Sequence, residues 1–277
     1  MDSKTAAPAL TAKDFKSDLK PVWCPGCGDF TVLSSITKAL AELGLRPEEV
    51  AVVSGIGCSS RLPAYLNTYG FHGVHGRALP TAAGLKLSRP ELTVLAAGGD
   101  GDGYSIGGNH FLHAARRNAD FTYVVMDNRV YGMTKGQPSP TTEPDWDSAL
   151  TPGGTGLSPF RPLVIALASG ANFVARAFSG DPNGTAEIIA EAIKHPGFSF
   201  IEVMSPCVTF RDEQRQWKTQ VRPSPVPATS DRSQAARRLM TDDGFNIGIL
   251  FKGDRTPYQP PLRARMTAAD LEAEFAL

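Results

Sequence analysis

Few features of this 277-residue chain point to disulfides, a membrane or nucleic acid. It has only four cysteines, and no apolar run approaches the roughly 18 residues that a membrane-spanning helix needs. Its 28 basic and 28 acidic side chains balance, so the net charge offers no attraction for nucleic acid or an acidic surface. The first 20 residues are polar and of mixed charge, without a targeting segment. We therefore expect a cytoplasmic protein whose thiols stay reduced.

The apolar residues alternate between two kinds of pattern along the chain. Short apolar runs with β-branched members predict buried strands, at residues 50–54, 92–98, 121–126 and 198–204. Helical spacing predicts helices, at residues 30–43, 105–117, 185–195 and 268–275. In the second of these helices, Ile106, Leu112 and Ala115 are expected to face the core. Strands that alternate with helices predict an α/β fold with a mostly parallel sheet flanked by helices.

The character of the chain changes near each end. We expect an N-terminal arm at residues 1–19, a main domain at 20–211 and a C-terminal extension at 212–277 that packs on the core or on a partner subunit. Three prolines in residues 222–227 exclude a regular helix or central strand there. Residues 133–162 are rich in Gly, Pro, Ser and Thr and lack periodicity. A segment of that length is too long for a plain connection, which predicts a functional loop.

Two polar motifs follow neighbouring predicted strands. The turn Gly99-Asp100-Gly101-Asp102-Gly103 follows the strand at 92–98, and Asn128 follows the strand at 121–126. A lone Gly-Asp-Gly is ordinary turn sequence, but the spaced asparagine adds a second hard oxygen ligand at the same sheet edge. Mg²⁺ prefers such ligands, and glycines let backbone N–H groups approach phosphates. The pair predicts a site for a diphosphate bridged by Mg²⁺.

The four cysteines lie in three separate segments. Cys24 and Cys27 form a Cys-x-x-Cys, whereas Cys58 and Cys207 each follow an apolar strand in a glycine- or proline-bearing loop. Together they make a complete ligand set for one [4Fe–4S] cluster. A structural zinc site is the serious alternative, although zinc ribbons usually present two close pairs. A redox Cys-x-x-Cys would leave Cys58 and Cys207 unexplained, and these two could also be buried inert thiols.

Long ordered motifs containing these residues resemble the beta subunit of 2-oxoacid:ferredoxin oxidoreductases, which are thiamine diphosphate enzymes. The resemblance runs from about residue 20 to residue 211. It rests on Trp23-Cys-Pro-Gly-Cys-Gly-Asp-Phe30, Gly55-Ile-Gly-Cys-Ser-Ser60, His75-Gly-Arg-Ala-Leu-Pro80, Gly99-Asp-Gly-Asp102, Ile106-Gly-Gly-Asn-His110 and Tyr131-Gly-Met-Thr-Lys-Gly-Gln-Pro138. It favours the iron–sulfur cluster over zinc for the cysteines, and it implies the thiamine diphosphate-binding fold.

The resemblance also implies an activity and a set of cofactor ligands. Such an enzyme oxidatively decarboxylates a 2-oxoacid to an acyl-CoA and passes electrons one at a time to ferredoxin. It can also run in reverse, as in a reductive tricarboxylic acid cycle. By resemblance, Asp100, the Asn128 side chain and the Val130 carbonyl would bind Mg²⁺, and the four cysteines would bind the cluster. Thiamine diphosphate would contact residues of the matched motifs, namely Ile56, Gly57, Cys58, Ser59, His75, Gly76, Gly99, Gly101, Asp102 and Thr134.

Two cations in these motifs are candidates for the substrate carboxylates. Arg61 follows Cys58, and Lys135 lies in the Met133–Gly136 segment. Either could instead be a solvated surface charge. Two cations near one substrate favour a dicarboxylate, so we expect 2-oxoglutarate rather than pyruvate or broad 2-oxoacid specificity.

One catalytic group is missing from the matched motifs. Thiamine enzymes need a glutamate on the aminopyrimidine ring, and in this family the alpha subunit supplies it. We therefore expect a heterodimer with an alpha subunit, or a dimer of heterodimers. The histidine pairs 72/75 and 110/113 could each share a second metal, but no other ligand completes either set. The other functions considered are a non-redox thiamine-dependent decarboxylase with structural zinc and a non-catalytic, metal-stapled interaction subunit.

Overall fold

The computed structural model describes residues 10–259 and 267–276. Helices and strands alternate through most of these ranges, as predicted. The helices are α1 (Asp29–Glu42), α2 (Ala78–Ser88), α3 (Gly108–Arg117), α4 (Pro162–Ala168), α5 (Pro182–Lys194), α6 (Trp217–Gln220), α7 (Arg232–Thr241) and α8 (Ala268–Phe275). The strands are β1 (Val50–Ser54), β2 (Tyr69–His72), β3 (Thr93–Gly99), β4 (Thr122–Asp127), β5 (Phe173–Phe178), β6 (Ser199–Met204), β7 (Arg222–Pro223) and β8 (Asn246–Lys252).

The described strands form one eight-stranded sheet in the order β2-β1-β3-β4-β6-β5-β8-β7. All pairings from β2 to β5 are parallel, and β8 adds antiparallel to β5. The register places Gly99 beside Met126, and Asp127 beside Met204. The carboxyl ends of β3, β4 and β6 therefore reach the same edge, so the loops that follow them converge there.

Helices cover both faces of the sheet. Helices α1 and α5 pack on one face over Val52, Leu95 and Val124, and α2, α3 and α4 pack on the other face over the alternate residues of the same strands. Strands β1, β4, β5 and β6 are buried along their whole length. Continuous apolar runs rather than alternating ones result, as expected for a parallel sheet covered on both sides.

Most of the predicted elements are confirmed within one to three residues. Helix α1 stops at the predicted Gly44, which adopts a left-handed backbone with φ of 66°. The predicted inward face of the helix at 105–117 is partly wrong, because Ile106 and Leu112 are exposed. The chain first makes a wide π-type turn over Gly101–Ile106, and the α-helix begins only at Gly108. This delay rotates the buried face onto Phe111, Ala114 and Ala115.

The two ends of the chain pack differently from its middle. In the predicted arm, residues 1–9 lie outside the described part, whereas Phe15 is fully buried in the core beneath α1. In the predicted extension, β8 joins the main sheet, and residues 260–266 and 277 lie outside the described part. Between Tyr131 and the start of α4 the chain forms no helix, consistent with the predicted loop at 133–162.

Candidate active site

A cavity lies where the sheet order changes direction. From β1 the chain passes to β2 on one side, and then to β3 and β4 on the other. In open parallel sheets, ligands bind at such a switch, outside the carboxyl ends of the strands. The ends of β1, β2, β3 and β4 and the loops after them line this cavity with Ile56, Gly57, Cys58, Ser59, His75, Gly99, Asp100, Gly101, Asp102, Met126, Asn128, Val130, Tyr131, Gly132, Met133 and Thr134.

The carboxylate of Asp100 is buried without a cation beside it. Its Oδ2 atom lies 2.9 Å from the Thr141 hydroxyl, whose oxygen is also 2.8 Å from Oδ1 of the buried Asp127. One hydroxyl proton cannot serve two carboxylates at once. Burial raises the pKa of Asp100 and of Asp127. The neighbouring acids Asp100 and Glu202 raise the pKa of Asp127 further. A divalent cation at Asp100 would relieve this arrangement.

The turn after β4 presents two further oxygen atoms to the same cavity. Asn128 Oδ1 accepts the Val130 N–H at 3.1 Å, in an Asx-type turn made possible by the left-handed backbone of Arg129 (φ 55°). An amide oxygen has a second lone pair, so the Asn128 side chain stays available as a ligand. With Asp100 and the Val130 carbonyl it makes an oxygen donor set that fits Mg²⁺.

Asp102 binds the two loops that face it across the cavity. Its Oδ1 accepts the N–H groups of Ile56 at 3.1 Å and Gly76 at 2.8 Å, and lies 2.8 Å from His75 Nδ1. We assign the imidazole proton to Nδ1 from this bond. Its Oδ2 is buried without a partner, at a position 1.9 Å from where a Cβ at Gly55 would lie. Asp102 therefore fixes the positions of the pocket loops.

Two glycines of the Gly99–Gly103 turn make room for tyrosine rings. A Cβ at Gly101 would lie 2.3 Å from the Tyr131 ring, and one at Gly103 would lie 2.1 Å from the Tyr123 hydroxyl. The Tyr131 hydroxyl in turn donates to the Gly101 carbonyl at 2.9 Å. Close packing therefore requires glycine here, in addition to the phosphate approach that the sequence suggested.

The four cysteines converge beside the cavity from their three segments. Burial raises the pKa of Cys27 and of Cys207, and it raises the pKa of Cys58 to about 11, with the neighbouring Asp29 and the other cysteines adding to the shift. The Trp23 indole donates to the Cys58 carbonyl at 2.8 Å and joins two of the segments. In residues 10–259 and 267–276, no group of three or more His, Cys, Asp or Glu side chains is arranged around a single metal ion.

The cysteine site and the cavity share a wall. Cys58 lines the cavity, and a Cβ added to the lining residue Gly132 would lie 3.6 Å from Cys207 Sγ. The polypeptide thus brings a thiol-rich site and a carboxylate-rich site within contact of one another.

The predicted substrate-binding cations lie outside the cavity wall. Arg61 donates from Nε to the Tyr65 hydroxyl at 3.1 Å and lies close enough to Cys58 to lower its pKa slightly. Lys135 is exposed on a left-handed backbone (φ 88°), directly after the lining residue Thr134. Arg61 lies in the short helical segment Ser59–Tyr65, two residues after the lining residue Ser59, so the two cations belong to different segments that each contribute to the cavity wall.

Some residues of the site escaped the sequence analysis. Met126, Tyr131, Gly132 and Met133 line the cavity, and the last three lie inside a motif that already marked Thr134. Thr141 has no such signal, because its role depends on a loop of irregular structure folding back onto Asp100. Of the histidines, only His75 lines the cavity.

Comparisons with known proteins extend these observations. Residues 55–203 match the family model "Thiamine pyrophosphate enzyme, C-terminal TPP binding domain". The chain is 42% identical over 247 residues to the 2-oxoacid:ferredoxin oxidoreductase subunit beta of Saccharolobus solfataricus, an alignment covering 85% of this chain and 79% of that one. It belongs to the beta subunits of the 2-oxoacid:ferredoxin oxidoreductases. The predicted family, its oxidoreductase class and its thiamine diphosphate-binding α/β fold are thereby confirmed.

Two further relatives refine the position of this beta subunit. It is 50% identical over 200 residues to 2-oxoglutarate oxidoreductase subunit KorB of Mycobacterium tuberculosis, which covers 72% of this chain but only 54% of that relative. The chain therefore spans about half the length of that protein. A solved structure is titled 2-oxoglutarate:ferredoxin oxidoreductase from Magnetococcus marinus with 2-oxoglutarate, coenzyme A and succinyl-CoA bound. It matches with a TM-score of 0.87 at 42% identity, over 91% of this chain and 88% of that one.

The beta subunit's described helices are all unsuited to crossing a bilayer. Across residues 10–259 and 267–276, none is both long enough and apolar enough to do so.

Proposed function

We propose that this beta subunit, with its alpha subunit, catalyses the reversible, CoA-dependent oxidative decarboxylation of 2-oxoglutarate to succinyl-CoA and passes the electrons to ferredoxin. It would bind thiamine diphosphate with Mg²⁺, and one [4Fe–4S] cluster. The observation that carries the proposal is the shared wall between the cavity of Asp100 and Asn128 and the site of Cys58 and Cys207. Electron transfer between two cofactors requires such proximity.

The chain's own residues have distinct tasks in this reaction. Asp100, Asn128 and the Val130 carbonyl would hold Mg²⁺, and with it the diphosphate, while Asp102 keeps the loops at Ile56 and His75 in place. When bound, thiamine diphosphate supplies the carbon nucleophile and the electron sink that the protein lacks. The buried Thr141 keeps Asp100 fixed, so that its carboxylate is preorganised for the cation.

The cysteine chemistry favours a cluster. Burial raises the pKa of the thiols of Cys27, Cys58 and Cys207, so metal loading must displace their protons. Zinc would draw four sulfurs to about 2.3 Å from one ion, whereas a cubane spaces its thiolates around a larger body. The convergence of the cysteines from three separate segments on one site supports the larger body.

The substrate proposal rests on charge at the cavity margin. Arg61 and Lys135 each lie within two residues of a lining residue, in different segments, and would offer one cation for each carboxylate of 2-oxoglutarate. Four relatives of the chain carry 2-oxoglutarate in their names, and the Magnetococcus marinus structure holds it. Pyruvate has a single carboxylate and would leave one of these cations without a partner.

The cavity also supports the need for an alpha subunit. No glutamate is found among the described residues that line it, so the group that acts on the aminopyrimidine ring must come from elsewhere. The apolar side chain of Met133, which lines the cavity, is 49% exposed. We propose that the alpha subunit covers this side and forms at least a heterodimer.

The first test measures metals in the anaerobically purified complex of both subunits. About four irons and four sulfides per beta subunit are expected, with a broad absorbance near ~400 nm that 2-oxoglutarate plus CoA bleaches. Zinc without iron would contradict the proposal and would indicate a non-redox decarboxylase with a structural zinc site. Iron without bound thiamine diphosphate would indicate an interaction subunit.

The second test compares substrates on the same preparation. Ferredoxin reduction should show a kcat/KM at least about tenfold higher with 2-oxoglutarate than with pyruvate, the difference expected for one added charge-assisted carboxylate contact. A clear preference for pyruvate would overturn the 2-oxoglutarate assignment and leave the family assignment intact.

A further inference from the structure

Gln214 joins the two cofactor sites directly. It lies in the short helical segment Asp212–Gln216 and is 1% exposed. Its Oε1 accepts the N–H of Cys207 at 2.9 Å, and its Nε2 donates to the carbonyl of Asn128 at 2.7 Å. One side-chain amide therefore bridges a proposed cluster ligand and a proposed magnesium ligand.

Loss of the two Gln214 hydrogen bonds would leave partly buried backbone groups unsatisfied. Gln214 saturates a backbone donor and a backbone acceptor that are far apart in the chain, and a buried group left unsatisfied is costly. The nearby Arg211 donates to the Arg129 carbonyl at 2.9 Å and so holds the same two loops together at a second point. Neither Gln214 nor Arg211 lines the cavity, so both act through the loops that they hold.

On the basis of the proposed function, we propose that Gln214 is a positioning residue that couples cluster loading to the binding of magnesium thiamine diphosphate. A cluster fixes Cys207, and the amide of Gln214 transmits that order to Asn128. The turn that holds the cation is then preorganised only when the electron acceptor is present. A subunit without its cluster would bind thiamine diphosphate less tightly, which limits decarboxylation when the electrons have no outlet.

The coupling is reciprocal by thermodynamic linkage, and a double-mutant cycle measures it. The cluster is removed with Cys24→Ser, since Cys24 is exposed and lines no part of the cavity. The bridge is removed with Gln214→Met, which keeps the length of the side chain and loses both hydrogen bonds. The exposed Gln216 in the same segment provides the matched control, Gln216→Met.

The experiment titrates thiamine diphosphate, with Mg²⁺ in excess, into the complex of alpha and beta subunits by calorimetry. Cluster loss should weaken binding about fivefold in the wild type and in Gln216→Met, which corresponds to a modest allosteric coupling. Gln214→Met should weaken binding about tenfold by itself, as expected for a lost buried hydrogen bond. In the Gln214→Met background, Cys24→Ser should add less than about a twofold change.

A purely structural role would lower the affinity equally with and without the cluster. The proposal is therefore overturned if Cys24→Ser has the same fold effect in both backgrounds, or no effect in the wild type. If Gln214→Met does not fold, Gln214→Glu replaces it, since an ionised carboxylate still accepts the Cys207 N–H but cannot donate to Asn128. Absence of iron from the wild-type complex would instead refute the proposed function, as measured iron content distinguishes the two failures.

Discussion

The cavity of Asp100 and the site of the four cysteines lie side by side but are built in opposite ways. Asp100 and Asn128 follow two neighbouring strands, β3 and β4, and the Asp100 carboxylate is 2% exposed. The cysteines come from three distant segments, and Cys24 is exposed. The ends of two adjacent strands place the residues of the first site, and burial shields its carboxylate from water. The second depends on loops and opens to the surface at Cys24, which fits the proposed transfer of electrons to another protein.

The largest effect is expected from a cysteine substitution that disrupts the proposed cluster and leaves the cavity largely intact. Cys24→Ser should lower the iron content of the complex to near zero and reduce electron transfer to ferredoxin by at least about a hundredfold, because a cubane needs four ligands. Thiamine diphosphate affinity should fall by no more than about tenfold, since Cys24 lines no part of the cavity. Iron analysis and calorimetry measure the two quantities, with Lys20→Ala as a control in the same exposed segment. Full iron content in Cys24→Ser would remove Cys24 from the ligand set.

The converse experiment changes the proposed Mg²⁺ ligand Asp100 and leaves the cysteine site intact. Asp100→Asn should weaken binding of magnesium thiamine diphosphate by about a hundredfold, because it removes the only carboxylate of the proposed Mg²⁺ set. The iron content should remain that of the wild type. Asp212→Asn, which changes an exposed acid, serves as the control. Unchanged cofactor affinity in Asp100→Asn would mean that the cation binds elsewhere.

A smaller change tests the margin between the two sites. Lys135→Ala should raise the KM for 2-oxoglutarate about tenfold and the KM for pyruvate less than about threefold, because only the dicarboxylate has a second anionic group to lose its partner. Steady-state kinetics with both acids give the comparison, and the exposed Lys218→Ala is its control. Equal changes for the two acids would show that Lys135 contacts neither the distal carboxylate nor the specificity pocket.

The smallest expected effect concerns the ion pairs that support both loops. Glu143 pairs with Arg129 beside the magnesium turn and with Arg211, at 2.6 Å, beside the cysteine loop. Burial raises the pKa of Glu143, but the charges of Arg129 and Arg211 outweigh it and hold the pKa below its usual value. The stability from this pairing is therefore fully present above the unfolded-state value of about 4.3 and is lost as the pH falls through the lower folded-state pKa.

Glu143→Gln should accordingly lower the free energy of unfolding by about 1 kcal/mol at pH 7, with partial solvent exposure limiting the loss. Urea unfolding of both proteins at pH 7, and then at about pH 4 and below, checks the result. The gap between them should begin to close below about pH 4. A gap that widens on acidification would contradict the assigned direction of the pKa shift.

Much of this comparison could be read from the sequence, and the missing parts share a physical cause. The strands before Asp100 and Asn128, and the three cysteine segments, were predictable because apolar runs and turn residues are local signals. Asp102 was expected near the diphosphate, whereas its hydrogen bonds go to Ile56, His75 and Gly76. Thr141 and Gln214 carried no signal at all. Their roles arise from contacts across 41 and 86 residues of chain, which no local pattern encodes.

The same limit explains the C-terminal segment. Its change in composition suggested an extension, and the sequence offered no register for β8. Pairing with β5 depends on an edge strand that becomes available only once the parallel sheet exists. The residues of α3 that face the core could not be predicted from the sequence either. They depend on the wide turn at Gly101–Ile106, which determines where the α-helix begins.

The alignment of strand ends at one edge of the sheet determines how this protein should be attached to an electrode surface. Cys58, Asp100, Asn128 and Cys207 follow the carboxyl ends of β1, β3, β4 and β6, while the chain reverses at the opposite edge through tight turns such as those at Gly44 and Gly197. An anchoring tag inserted at Gly44, where a Cβ would meet no atom within 4 Å, disturbs no ligand. Tethered there, the molecule would turn its proposed cofactor sites toward solution. Tethered through an exposed residue near Cys24, it would face the electrode instead.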